Sequence, residues 1–316
     1  TVTASEWTEQ GITEVAAAVE AFLGVADETL ASFALDPTVS VSDAPGPEEA
    51  AEDIAATLSE TAEAVTAADL DPDTDAEAIA ALLNAAETLT GDLEDAQVFG
   101  DLEVRDQLAL RGFYEVLDAE NRKDFPPEWN AIKLYEARGE VEPILTALEA
   151  LDSDFMQDNI LDALEHIAPP AAFDAVHDLA QRRDKQPVRI LGRIGDERAC
   201  DTLHDFLGGG DVSLEKTSLW ALGAIGSAES TEPVAQRLVA DNPEIRSAAA
   251  RALGLIGDTR AIDPLAARLA EDEDDTVRAS AAWALNQIGT ARARDTLADY
   301  SDDSSYLVQA ETEKAV

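Results

Sequence analysis

The residues best suited to binding chemistry form a cluster of bases between positions 182 and 198, called the basic cluster below. Its members are Arg182, Arg183, Lys185, Arg189, Arg193 and Arg198. With Asp184, Asp196 and Glu197 included, the segment has a net charge of +3 in a chain of formal net charge -44. Guanidinium and ammonium groups bind carboxylates and phosphates, so the basic cluster predicts a docking surface for an acidic partner. The alternative is a set of ion pairs with neighbouring Asp residues, each worth about 0–1 kcal/mol when exposed.

Two histidines are each followed by an aspartate, as His177-Asp178 and His204-Asp205, and the two pairs are 27 residues apart. Imidazole and carboxylate groups at equivalent positions could hold a metal ion. A packed, hydrogen-bonded histidine is the interpretation we favour for both pairs, so no metal is assigned.

Two tryptophans alternate with two arginines at a regular interval. The order Arg189, Trp220, Arg251, Trp283 has spacings of 31, 31 and 32 residues. Neighbouring helices carrying these side chains would form a cation–π ladder, worth about 0.5–1 kcal/mol per exposed pair. The alternative is that Trp220, Arg251 and Trp283 form a secondary surface of hot-spot side chains for a partner.

Other motifs carry less chemistry. The acidic segment 69–75 imitates the start of a calcium loop, but Thr74 stands where the loop needs Gly and Ala80 where it needs Glu. We expect a helix-capping turn there, an inter-repeat linker at 208–210 and an inert buried thiol at Cys200. A single cysteine also excludes an intramolecular disulfide framework. No Ser-His-Asp order or nucleotide fingerprint is present, so we assign no catalytic residue and no cofactor.

An internal repeat positions these candidates. It is marked by the dipeptides Ile194-Gly195, Ile225-Gly226, Ile256-Gly257 and Ile288-Gly289, at spacings of 31, 31 and 32 residues. An apolar anchor follows each Ile by nine residues: Leu203, Val234, Leu265 and Leu297. The register extends back to Ile167 and, more loosely, to Tyr135, which gives about six helix pairs between residues 127 and 300. One pair cannot bury its apolar face alone, so the pattern predicts an all-α fold, an α-solenoid of stacked pairs.

One spacing departs from this regularity. Ile167 and Ile194 are 27 residues apart rather than 31 or 32. About one helical turn is therefore missing just before Val188-Arg189, beside the basic cluster.

The repeat spacing, the Val-Arg starts and the segment Leu-Gly-Leu-Ile-Gly-Asp-Thr-Arg at 253–260 resemble HEAT-like repeats of the bilin-lyase type. The resemblance implies a binding scaffold first, and permits a lyase or chaperone for a linear tetrapyrrole. The two His-Asp pairs are similar to the His-Glu dyads of HEAT-repeat di-iron hydroxylases, but the acid and the position on the second helix differ. A nucleic-acid-binding HEAT protein, such as a DNA glycosylase, is a further alternative, with only the basic cluster to supply its groove.

The charge is uneven along the chain. Residues 1–104 hold 25 acids and no bases, whereas residues 105–316 hold 41 acids and 22 bases. We therefore predict an acidic helical region at 1–104, a degenerate capping repeat at 105–126, the solenoid at 127–300 and a C-terminal tail at 301–316. Within the acidic region, Ser5 is expected to cap a helix that closes near Gly24, and a connector follows at 36–47.

Composition also bears on the setting in which the protein works. Excess negative charge destabilises a compact fold at ordinary ionic strength and is screened at molar salt, so the composition resembles that of cytoplasmic proteins from salt-accumulating halophiles. No apolar run approaches the roughly 20 residues of a membrane span. We predict a cytoplasmic, non-catalytic scaffold or adaptor. Its expected partner is another protein, acidic where it meets the basic cluster.

Overall fold

The computed structural model describes residues 2–30, 39, 46–118 and 126–315. The chain divides into two compact units, residues 1–111 and 112–316, so the boundary falls shortly after the charge step at 104. Among the described residues every regular element is a helix, and the only extended pairing is one bridge between Trp7 and Val98. The predicted all-α fold is confirmed. None of the described helices has both the length and the hydrophobicity that a membrane crossing requires.

The described part of the first unit contains four α-helices: α1 (Glu9–Thr29), α2 (Pro47–Ala67), α3 (Ala76–Asp95) and α4 (Val104–Leu110). α1 packs against both α2 and α3. Val15, Val19 and Leu23 of α1 form a buried core with Ile54 of α2 and Leu89 of α3. These apolar positions recur at helical spacing, which is why the polar faces of the same helices can carry so many acids.

The predicted bounds of α1 were wrong at both ends. The helix begins after Thr8 rather than Ser5, because the Thr8 side chain accepts a hydrogen bond from the amide of Gly11 at 2.9 Å. It runs past Gly24 because the apolar face continues to Ala26, which is fully buried. A favourable cap and a continuing apolar face therefore outweigh the helix-breaking tendency of one glycine.

Two other predicted segments are only partly described. The connector at 36–47 lies largely outside the described residues, although Pro47 opens α2 as expected. Within the predicted capping repeat at 105–126, residues 119–125 also lie outside them. The described part holds most of α4 and a following turn.

Where the structure describes the second unit, it contains six helix pairs and one further α-helix. The pairs are α5 (Pro127–Arg138) and α6 (Glu142–Ala150), α7 (Asp154–Ile167) and α8 (Phe173–Ala180), α9 (Lys185–Ile194) and α10 (Cys200–His204), α11 (Val212–Ile225) and α12 (Thr231–Ala235), α13 (Pro243–Ile256) and α14 (Ile262–Glu271), and α15 (Asp275–Ile288) and α16 (Ala291–Ala298). The first helix of each pair stacks on the first helix of the next. The six pairs match those predicted from the repeat.

Glycine ends the first helix at the four predicted positions. The φ angles of Gly195, Gly226, Gly257 and Gly289 are 76°, 75°, 74° and 64°, in the left-handed region that favours this residue. Each of these amides donates to the carbonyl oxygen four residues earlier. The chain then turns sharply into the second helix of the pair.

α9 is shorter than its neighbours. It has 10 residues, whereas α7, α11, α13 and α15 have 14 each. The 14-residue helices begin thirteen residues before the repeated Ile, but α9 begins only nine before it. At 1.5 Å per residue, about 6 Å of helix is missing from its N-terminal end. The 27-residue spacing predicted this missing turn.

Residues 301–316 contain a further helix, α17 (Tyr306–Thr312). α17 packs against α15, and its Val308 is fully buried. Val308 follows Val277 of α15 by 31 residues. α17 therefore takes the place of the first helix of a further pair.

Two ion pairs, called the Arg–Asp clamps below, tie helix pairs to the helix that follows them; the first is buried and the second is half-buried. Arg246 of α13 donates from Nε and Nη2 to the carboxylate of Asp272, both at 2.8 Å. The two side chains are only 9% and 1% exposed. Arg278 of α15 donates from Nη1 and Nη2 to the two carboxylate oxygens of Asp303, at 3.1 Å for Nη1. Because each aspartate lies two residues before the N-cap of the next helix, each clamp fixes the point at which that helix begins.

Candidate partner-binding surface

The structure divides the basic cluster into two groups. Arg189 and Arg193 belong to the first group, because both are held by Glu165 of α7. Arg189 donates from Nε and Nη2 to the two carboxylate oxygens of Glu165 at 3.0 and 3.2 Å. Arg193 donates from Nη1 to the backbone carbonyl oxygen of the same residue at 3.2 Å. These two arginines therefore join α9 to α7.

Arg198 also belongs to the paired group. It donates to Asp196 at 2.7 Å and to Asp174 at 3.3 Å, and its guanidinium lies 3.9 Å from the ring centroid of Phe173. The hydrogen bond from Arg198 holds the pKa of Asp196 below its ordinary value. Of these three arginines, only Arg198 pairs with neighbouring Asp residues, whereas Arg189 and Arg193 pair with Glu165.

The second group consists of Arg182, Arg183 and Lys185, which are exposed at the start of α9. Within the described part of the chain, none of the three has an acidic partner within ion-pair distance. Arg183 has a left-handed φ of 67° and lies 5.4 Å from the ring centroid of Phe206. Lys185 Nζ donates to Ser213 Oγ of α11 at 3.3 Å. These three cations make no ion pair with any residue that the structure describes.

An open pocket lies where the first turn of α9 is missing. We call it the Trp220 pocket; its volume is about 440 Å³. Its lining residues are Arg189, Val212, Ser213, Lys216, Thr217, Trp220 and Glu244. Most of these belong to the first turns of α11, which a full-length α9 would face. Because Lys185 contacts Ser213, at least one of these three cations borders the pocket.

The predicted arginine–tryptophan ladder forms at one of its three steps. Arg251 lies 5.0 Å from the ring centroid of Trp283, which is a cation–π contact. Arg189 is instead paired with Glu165, and Trp220 stays 41% exposed. Both indoles lie across a glycine of the preceding helix, since a Cβ added at Gly192 would be 2.9 Å from Trp220 and one at Gly254 would be 2.8 Å from Trp283.

The histidines contact hydroxyl groups of the next repeat. His177 Nε2 is 2.8 Å from Thr202 Oγ1, and His204 Nε2 is 2.9 Å from Ser230 Oγ. Burial lowers the pKa of His204 below its ordinary value. Asp178 and Asp205 are exposed, and the described residues contain no group of three or more His, Cys, Asp or Glu side chains able to hold a metal ion.

The remaining sequence motifs have local roles. In the acidic turn, Asp75 accepts a hydrogen bond from the amide of Asp71 at 2.8 Å, and Asp71 accepts one from the amide of Asp73 at 2.8 Å. The turn precedes α3, but its N-cap residue, Asp75, makes no side-chain hydrogen bond to the first turn of the helix. These carboxylates therefore stabilise the turn itself, and the expected capping of α3 is not observed. Cys200 is buried, and burial raises the pKa of its thiol.

Sequence reasoning missed several residues of this surface. Glu165, Lys216 and Glu244 were not singled out, although Glu165 holds two members of the basic cluster and Lys216 Nζ donates to Glu244 at 2.7 Å. The signal for Glu165 is its register, two residues before the repeated Ile167, where Gly192 and Gly223 stand in later units. In a chain with 66 acids, only stacked helices show which of them matter.

Comparison with known proteins supports the repeat architecture. Residues 231–316 match a family model described as HEAT repeats. No curated protein matches the chain. Similar solved structures include human deoxyhypusine hydroxylase in complex with glycerol, with 17% identity, a TM-score of 0.30 and coverage of 69% of this chain and 97% of that one. Two engineered proteins are also similar. The first has 19% identity and a TM-score of 0.38, with coverage of 95% of this chain and 93% of that one. The second has 22% identity and a TM-score of 0.34, with coverage of 68% of this chain and 90% of that one. Because all three TM-scores are below 0.5, these likenesses carry no argument about this chain.

Proposed function

We propose that the protein is a non-catalytic adaptor that binds another protein through the stacked helix pairs of its second unit. The contact centres on Arg182, Arg183 and Lys185, and the partner is acidic where it meets them. One observation carries this proposal: in a chain of net charge -44, these three exposed cations have no acidic partner among the described residues, whereas the rest of the basic cluster does.

The repeat architecture supports the same function. Stacked helix pairs form an extended surface whose exposed positions can vary without disturbing the buried face of each helix. The HEAT-repeat match at residues 231–316 agrees with such a scaffold. Electrostatic complementarity of this kind gives specificity and rapid association more than raw affinity.

Charge reversal tests the proposal. Arg182→Glu and Lys185→Glu should each reduce capture of the natural partner from a lysate of the source cells, with helicity by circular dichroism unchanged. Arg294→Glu is the matched control, because Arg294 is exposed and likewise has no ion pair among the described residues. Equal loss of captured proteins in the control and test variants, or no loss in either, would reject the function.

Arg189 and Arg193 are poor choices for this test. Reversing either charge would place a carboxylate against Glu165, so a loss of binding could follow from a displaced α9. The same purified protein also permits elemental analysis and an absorbance scan. If the protein contained stoichiometric metal or a bound tetrapyrrole, one of the enzyme alternatives would be favoured over the adaptor function.

A further inference from the structure

We propose that the Trp220 pocket is the anchor site for an acidic linear segment of the partner, with an aromatic or large aliphatic side chain seated against the indole of Trp220. A carboxylate beside that anchor binds Lys216 or Lys185. The inference rests on the proposed adaptor function and specifies what the bound segment contains.

The first support is the origin of the pocket. The first helices on either side of α9 have 14 residues, but α9 has 10. The missing turn, about 6 Å long, uncovers the side of α11 that carries Val212, Ser213 and Lys216. The pocket is therefore a consequence of one irregular repeat spacing.

The second support is the position of Arg189. In the next arginine–tryptophan pair along the chain, Arg251 lies over the ring of Trp283. Arg189 would cover Trp220 in the same way, but Glu165 of the preceding helix holds it with two hydrogen bonds. The position that corresponds to Glu165 beneath Arg251 is Gly223, which has no side chain to compete for the guanidinium. One carboxylate thus keeps the indole face uncovered.

The lining has the chemistry of a peptide anchor. An exposed indole ring contributes a large apolar contact, and tryptophan is enriched among the residues that dominate binding energy. Lys216 is paired with Glu244, but the two side chains are 44% and 63% exposed. Such a pair is worth about 0–1 kcal/mol, so an incoming carboxylate can replace Glu244 at little cost. Ser213 Oγ accepts from Lys185, and Thr217 Oγ1 donates to the backbone carbonyl of Ser213. The Ser213 hydroxyl can still donate, and the Thr217 oxygen can still accept, a hydrogen bond from backbone groups of the segment.

Charge and screening favour a peptide over a nucleic acid. Glu244 lines the pocket, and Glu165 neutralises Arg189, another lining residue. A polyphosphate would also meet a chain of net charge -44. A peptide carboxylate can exchange one for one with Glu244. At molar salt, where charges act over only about 3 Å, contact with Trp220 persists because apolar burial does not depend on long-range attraction.

Calorimetry with defined peptides tests the proposal on the full chain. The probes are capped peptides with Phe, Trp or Leu at the centre and two Asp or Glu residues on each side. Reference peptides carry central Ala, or Lys in place of the acids. We expect binding of the acidic peptides with a large central side chain, at 0.15 M and at 2 M KCl, and no measurable binding of either reference.

Two variants and one control locate the site. Trp220→Ala should weaken binding at least tenfold, about 1.4 kcal/mol. Glu165→Ala should do the same without touching the peptide, because the released Arg189 then covers the indole. Phe155→Ala is the control, since it removes an aromatic ring that is 55% exposed on another first helix, and it should leave binding unchanged.

Three results would overturn the inference. These are no binding of any acidic peptide at about 1 mM, unchanged binding in the Trp220→Ala variant, and tighter binding of an oligothymidylate that is lost in that variant. Loss of natural-partner capture in Arg182→Glu but not in Trp220→Ala would remove the anchor site and leave the adaptor function standing. Unchanged capture in both would remove both proposals.

Discussion

The Arg–Asp clamp between Arg246 and Asp272 offers a quantitative test of how the helix pairs are held together. The perturbation is Asp272→Asn, which keeps the side-chain shape and removes the charge. Burial alone would raise the pKa of Asp272, but hydrogen bonds from Arg246 and the Asp274 amide hold it below its ordinary value. The carboxylate is therefore ionised, and its loss leaves a cation that is only 9% exposed without a counter-ion.

The magnitude follows from the geometry of the pair. At 2.8 Å and an effective dielectric constant of about 20, the Coulomb attraction is roughly 6 kcal/mol. Desolvation of both groups offsets most of it in the intact pair. Removing one partner is different, since the other keeps its desolvation cost, and such substitutions cost about 3–5 kcal/mol. We expect Asp272→Asn to lower the free energy of unfolding by that amount.

The assay is urea unfolding followed by circular dichroism, with hydrogen exchange to confirm that the loss of protection lies in α13 and α15. The control is Glu244→Gln, which breaks the exposed pair with Lys216 and should cost at most about 1 kcal/mol. The double variant Arg246→Met/Asp272→Leu should recover most of the loss, because neither charge then remains buried.

Two results would refute this reasoning. A cost below about 1 kcal/mol for Asp272→Asn would show that the clamp stabilises the protein no more than an exposed ion pair does. A double variant as unstable as the single one would show that the two residues act separately rather than as a pair.

Two further predictions concern packing and pH. Gly254→Ala should lower the free energy of unfolding in urea by about 1–3 kcal/mol, and by more than Gly223→Ala does. The reason is that the added Cβ would be 2.7 Å from a backbone Cα at Gly254 and 3.0 Å from one at Gly223. An equal or smaller cost for Gly254→Ala would contradict this prediction. Burial lowers the pKa of His204 from 6.5, so the unfolded chain binds the proton more tightly and stability should fall as the pH drops below about 6.5. Thermal unfolding between pH 8 and 5 should lose this dependence in His204→Gln and keep it in the exposed-site control His166→Gln; the same pH dependence in both variants would argue against it.

The helix pairs were predictable because each one satisfies several local rules at once. Around Ile256 and Gly257, an apolar stripe, a left-handed terminator and an Asp-initiated turn all indicate the same helix end. The shortened α9 was equally visible, since a missing turn changes the repeat spacing. α17 was not visible, because Val308 keeps the apolar register but no Ile-Gly pair follows it.

The candidate site was only half predictable, for a physical reason. The sequence shows where basic residues concentrate, but the contacts of Arg189 depend on which side chain the preceding helix places beneath it. The residue beneath Arg189 is Glu165. The residue beneath Arg251 is Gly223, which has no side chain. Helical stacking thus decides whether an arginine joins two helices or covers a ring. The same applies to Asp272, one of many acids until burial against Arg246 distinguishes it.

The clamps also make one stretch of this chain a self-compatible building block. A tandem copy of residues 243–274 would offer its own Asp272 to the arginine at its start. The copied helix would meet Gly254 of the original, just as α15 does now. The array could be lengthened by a helix pair at this point while the Trp220 pocket stays unaltered. Evolution or design could thereby change the reach of the array independently of what it binds.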